Sequence, residues 1–148
     1  MDINRAAPAM AAGETQIDAV PEIVFSIIAE IDEWPSWNPD VKSAQLKGPA
    51  QPGATFRWKS GPGSVVSTLQ VVDPPGEIGW TGTTMGIKAI HVFRFEPNDG
   101  GTLARSQESW EGVVARVFRR FSRRTLDDTI TNVLSHLKAE AQRRAAST

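Results

Sequence analysis

From about Val113 to Arg143 the chain contains neither glycine nor proline. Across that stretch Val114, Val117, Phe118, Phe121, Ile130, Val133, Leu134, Leu137 and Ala141 recur near every 3.6 residues. The spacing predicts one amphipathic terminal helix, about 45 Å long at a rise of about 1.5 Å per residue. What precedes it is broken up by turns. GPAQPG (48–53), SGPG (60–63), DPPG (73–76), TTMG (83–86) and PNDGG (97–101) are turn sequences. They separate strand candidates at Val41–Lys47, Ala54–Lys59, Ser64–Val72, Ile78–Thr83, Ile87–Glu96 and Thr102–Trp110. Loops this short make an antiparallel meander. Its strands reach about 33 Å at most, so the longer helix is covered only if the sheet curls around it.

Ahead of the meander the signals are mixed. The first dozen residues, MDINRAAPAMAA, are small and weakly patterned. Residues 1–12 are therefore expected to lie loose before a single domain at 13–145. A short strand is expected at Glu14–Ala19. Pro21 suits a first helical position, and Ile23, Val24, Ile27, Ile28 and Ile31 form an apolar helix face behind it. In EWPSWNPD (33–40), Pro35 and Pro39 rule out a long regular element and leave a short helical turn. The expected class is α+β. It has two short N-terminal helical segments and a curved antiparallel sheet of six to seven strands around a long C-terminal helix.

This order resembles the START-like, or Bet v 1-like, superfamily, with W-x-x-W-x-P standing as Trp34, Trp37 and Pro39. The nearest branch is the polyketide cyclase/dehydrase and lipid-transport group. Further matches are V-D-P-P before I-x-W (Val72–Pro75, Ile78, Trp80), H-x-F-x-F-x-P (His91–Pro97), G-T-L (Gly101–Leu103) and Q-E-S-W-E-G (Gln107–Gly112). The resemblance covers about residues 14–143. It implies a helix-grip fold, often with an apolar cavity between sheet and helix, and it fixes no single function.

Composition removes several chemistries. The absence of cysteine excludes disulfides, thiolate metal sites and a Cys nucleophile. Two histidines, His91 and His136, are too few for a zinc site of the usual kind, and no metal or cofactor is expected. Walker, G-x-G-x-x-G, G-x-S-x-G and H-E-x-x-H patterns are all missing. No apolar run approaches the roughly 18 residues of a membrane span. Asp2, Arg5, Glu14 and Asp18 interrupt any signal-peptide core, so a soluble, cytoplasmic protein without integral membrane association is expected. The formal net charge of −1 conceals an asymmetry. Residues 1–112 carry 8 basic and 14 acidic groups, while residues 113–148 carry 8 basic and 3 acidic.

Strand parity nominates the site. In Ile87–Glu96 the residues Ile87, Ala89, His91, Phe93 and Phe95 alternate with Lys88, Arg94 and Glu96, so the first set should face the helix. Phe56 with Trp58, Ile78 with Trp80, and Glu108 with Trp110 likewise share faces. Leu103 has the opposite parity to Glu108 and Trp110, so either a bulge intervenes or one of these face assignments is wrong. Trp58, Trp80, Met85, His91, Phe93, Trp110, Phe118 and Phe121 are the candidate ligand-binding residues. Gly79, Gly82 and Gly86 leave volume beside them. The same aromatic side chains would equally serve as core. His91 and Glu108 are the candidate catalytic pair: an imidazole and a buried carboxylate that only neighbouring strands of the meander can bring together. Their alternatives are a core histidine satisfied locally and a carboxylate paired with Arg105 or turned to solvent.

The leading function is non-covalent binding of a hydrophobic small molecule: a lipid, a polyketide-like compound or an isoprenoid. Trp34–Pro39 and the loop near Met85 would serve as entry elements. A second reading is a cyclase or dehydratase that needs neither metal nor covalent nucleophile. A third uses RVFRRFSRR (116–124) to dock on a protein or a membrane, against the plainer alternative that these arginines pair with the acidic meander. No motif points to nucleic acid. A homodimer stays open.

Overall fold

The computed structural model describes residues 1–148. In chain order the elements are β1 (Ala9–Ile17), α1 (Pro21–Ala29), a 3-10 turn (Ile31–Glu33), α2 (Trp34–Trp37) and β2 (Val41–Leu46). They continue as β3 (Thr55–Ser60), β4 (Gly63–Asp73), β5 (Glu77–Thr84), β6 (Ile87–Asn98), β7 (Gly101–Glu111), α3 (Val113–Val117) and α4 (Arg119–Ala146). The seven strands form one sheet in the order β1-β7-β6-β5-β4-β3-β2, with every neighbouring pair antiparallel. From β2 to β7 the chain is the expected meander. The β1–α1–α2–β2 connection crosses from one edge to the other and carries its helices over the concave face.

Two irregularities, between Val41 and Ser43 in β2 and between Leu69 and Val71 in β4, add local twist and help the sheet curl. The core lies between that concave face and the helices. α4 contributes Leu126, Ile130, Leu134, Leu137 and Ala141, and α1 contributes Val24, Phe25, Ile27 and Ile28. Phe25 meets Phe95 edge-on at 6.3 Å. The fold is α+β and matches the helix grip.

Two expectations need correction. Residues 1–12 do not lie loose, because Ala9–Ala12 begin β1 and pair with Trp110–Gln107 of β7. Ahead of them Ile3 and Ala7 are buried, and the Met1 ammonium meets Glu77 at 3.1 Å. The smallness that made this stretch look unpatterned is what lets α4 approach. A Cβ on Gly13 would stand 3.0 Å from Ile130 and 3.1 Å from Leu134.

The terminal helix is also not continuous. Phe118, at φ −105° and ψ 46°, separates α3 from α4. α3 packs on β6 and β7, whereas α4 packs chiefly on β1, with α1 and β7 beside it. No helix is long and apolar enough to cross a membrane.

Candidate functional site

The register of the meander builds the site row by row. Glu108 lies directly opposite His91, and His91 opposite Trp80. Their parity turns all three to the concave side, where each is buried. Pairing through β7 is regular, so no bulge is needed and the half-buried Leu103 simply faces outward. His91 Nδ1 stands 3.2 Å from Glu108 Oε1, and its Nε2 stands 2.7 Å from Ser106 Oγ. The Trp110 indole N–H donates to Glu108 Oε2 at 2.7 Å. Arg105 takes no part. It pairs with Glu14 at 3.1 Å and Glu96 at 2.8 Å on the other face.

Burial decides how this pair is protonated. Desolvation pushes His91 down to about 3. It pushes Glu108 up to about 7, and the Trp110 hydrogen bond pulls partly back. A separated imidazolium and carboxylate would therefore be the expensive form in this apolar setting. The pair instead holds one proton as a neutral unit, with the Glu108 hydroxyl donating to His91 Nδ1. Nε2–H then donates to Ser106. The chemical result is a carboxylic acid retained near neutral pH, touching a neutral imidazole.

Aromatic side chains fill the space behind the pair. Trp80 lies 5.0 Å from His91, and Phe93 stacks on the imidazole at 4.5 Å. Trp34 from α2 reaches into the sheet and packs within 5.3–5.6 Å of Phe56, Trp58 and Trp80, its indole N–H bonded to the Ile28 carbonyl at 3.0 Å. The W-x-x-W-x-P segment is thus an internal plug rather than a rim. Asn38 caps its exit by accepting from the Asp40 amide at 3.0 Å. Trp37 Nε1 is the one buried side-chain nitrogen without a partner.

The next row along is built of small side chains. Trp110 is opposite Ala89, Ala89 opposite Gly82, and Gly82 opposite Ser67. Ser67 accepts from the Trp58 indole at 3.1 Å. Three small residues are therefore bounded by two half-buried indoles. Of the three glycines expected to leave volume, only Gly82 lies on this face, and Ser67 fills the place beside it, since a Cβ there would stand 2.6 Å from Ser67 Oγ. Gly79 is covered from the convex side by Met1, and Gly86 sits in the β5–β6 turn at φ +76°. Beyond this row lies an open groove of about 620 Å³, lined by residues 83–88, Gly112 and Val113.

The candidate residues divide accordingly. Trp58, Trp80, His91, Phe93, Glu108 and Trp110 come together on the concave face. Met85, Phe118 and Phe121 do not join them, being 65%, 58% and 72% exposed at the open end. Their expected place in the apolar lining is corrected, because α3 turns the chain outward before α4 reaches the sheet. Ser106 is the site residue that the sequence reading misses, while Trp34 and Trp37, expected at an entry, are buried. The parity of Ser106 with Glu108 was the one available signal.

Comparison with known proteins now bears on this geometry. Residues 10–142 match the family model described as polyketide cyclase/dehydrase and lipid transport. The chain belongs to this family. The fold recurs in a START superfamily protein from Mycobacterium smegmatis, at TM-score 0.74 and 16% identity, over 90% of this chain and 97% of that one. It recurs in the Zhui aromatase/cyclase from a Streptomyces species, at TM-score 0.75 and 15% identity, over 91% and 94%. Ara h 8.0201 is similar at TM-score 0.73 and 12% identity, over 89% and 96%. At these identities the likeness is one of fold alone. No curated protein matches the chain.

Proposed function

We propose that the protein binds a hydrophobic small molecule on the concave face, entering from the Met85 end and lying over Gly82 and Ala89 between Trp58 and Trp110. The observation that carries this reading is the row of small residues flanked by two half-buried indoles, with the Glu108–His91 pair at its inner end. Apolar contact supplies affinity at about 25 cal/mol per Å² buried. The neutral pair supplies orientation, since its hydroxyl can turn from Nδ1 to a ligand carbonyl. A lipid, a polyketide-like or an isoprenoid compound carrying one oxygen function fits this chemistry, as does a cytoplasmic carrier role.

Native mass spectrometry of the purified protein before and after solvent extraction tests it. The expected result is a lipophilic adduct, lost on extraction and absent from Ala89→Phe, which fills the floor between the indoles. Absence of an adduct, with no thermal shift across fatty acids, isoprenoids and aromatic polyketides, overturns the reading.

A second reading rests on Glu108 alone. A carboxyl held at about 7 beside an imidazole is placed for proton transfer to and from a bound carbonyl compound, as a cyclase or dehydratase requires. In that case Glu108→Gln keeps ligand affinity and loses turnover, whereas a carrier shows no turnover to lose.

A further inference from the structure

Six consecutive residues at the α3–α4 junction, Arg116 to Phe121, are all exposed. Val117 is 66% exposed, and Val113 and Met85 project at the same end. The β5–β6 turn and α3 are adjacent there, since a Cβ on Gly86 would lie 3.1 Å from Val114. Val117 closes α3, Phe118 is the break and Phe121 lies in the first turn of α4, so all three belong to one exposed corner. Five large apolar side chains thus share one end of the molecule, all more exposed than Met10, Val20 and Val66, the large apolar residues exposed elsewhere.

The arginines around them are unpaired. None of Arg116, Arg119, Arg120, Arg123 and Arg124 appears in any ion pair of the structure. Arg123 donates to the Pro8 carbonyl at 3.0 Å, and its four companions make no side-chain hydrogen bond. Residues 113–126 contain no acidic group. The acidic meander does not neutralise this helix.

We propose that this end docks on an anionic lipid bilayer. Met85, Val117, Phe118 and Phe121 enter the boundary between headgroups and acyl chains, and Arg116, Arg119, Arg120 and Arg124 meet lipid phosphates. Guanidinium suits phosphate through paired, parallel hydrogen bonds. A second copy of the chain is the poorer occupant, because a two-fold contact through this patch sets the arginine cluster against itself. The orientation follows from charge: the basic end turns toward the membrane and the acidic meander, net −6 over residues 1–112, turns away. The proposal stands on the exposed surface and survives if no ligand occupies the concave face.

Vesicle flotation with the full chain tests it, comparing phosphatidylcholine alone with phosphatidylcholine containing phosphatidylglycerol. The protein should float with the anionic vesicles and not with the neutral ones, and molar salt should weaken the association. Each arginine replaced by glutamine should reduce partitioning about fivefold, the value of one cation at an anionic leaflet. Phe118→Ser with Phe121→Ser should abolish flotation without changing the melting temperature. Arg119→Gln with Arg120→Gln, which leaves every apolar contact in place, gives the same reading if the serine variant folds poorly. Failure to float with anionic vesicles, or equal flotation of wild type and both variants, overturns the proposal. So does self-association lost in the serine variant without vesicle binding, which would assign the face to a second copy.

Discussion

The two ends of the terminal helix carry similar side chains and meet opposite fates. Leu126, Ile130, Leu134, Leu137 and Ala141 are buried under the sheet, whereas Val117, Phe118 and Phe121 stand in solvent. Hydrophobicity does not separate them. Position relative to the sheet does: α4 lies along β1, and the break at Phe118 turns α3 toward the β5–β6 turn. Periodicity reports which side of a helix is apolar, and only tertiary reach reports how much of that side is covered.

The sharpest way to break the comparison is to remove equal chemistry from each end. Leu137→Ala removes a fully buried side chain and should cost about 2–5 kcal/mol in urea unfolding. A cost below about 1 kcal/mol would mean that α4 is held far more loosely than its packing indicates.

The polar pair makes the next largest prediction. Glu108 is raised from 4.5 to about 7, so its contribution to stability falls as pH rises through that interval. His91 is lowered from 6.5 to about 3, so its contribution falls as pH drops through that one. Between 4.5 and 6.5 the pair holds one proton both folded and unfolded, and the two effects cancel. Single variants should lose the cancellation. Relative to wild type, Glu108→Gln should gain stability with rising pH and His91→Phe should lose it, each by up to about 1.4 kcal/mol per pH unit. Urea midpoints at several pH values decide this. Parallel profiles for the two variants would show that folding does not shift the two groups in opposite directions.

Much of this was legible in the residues. Turn chemistry divided the meander correctly, and alternation along β6 turned His91 and Phe93 inward. Glu108 and His91 sit 17 positions apart, and only a regular β6–β7 register puts them opposite. Two features stayed hidden for physical reasons. Ala9, Ala11 and Gly13 gave no hydrophobic pattern because they are small: the two alanines are buried in the core, and Gly13 leaves room for Ile130 and Leu134. Phe118 and Phe121 fell on the period of the helix, and period alone assigned them to the apolar lining.

A smaller effect is expected at Trp110. Trp110→Phe keeps the aromatic body and removes the indole N–H that donates to Glu108 Oε2 at 2.7 Å. The loss should cost about 1 kcal/mol. It should also raise the Glu108 pKa further, since that hydrogen bond favours the ionised carboxylate. Carbon-detected NMR titration of the Glu108 carboxyl measures the shift directly. A downward movement would place the proton differently from the arrangement argued above.

The smallest expected effect lies at the exposed end. Phe121→Ser should change stability by less than about 0.5 kcal/mol, as for surface positions without a packing role, because 72% of the side chain is already in water. The contrast with Leu137→Ala, on the same helix, gives this near-zero value its meaning. If Phe121→Ser instead costs as much as a core truncation, the phenylalanine is covered in solution by a second copy. Its cost would then rise with protein concentration. If the cost stays small at every concentration, the side chain is free, and what it contributes must be sought in binding rather than in folding.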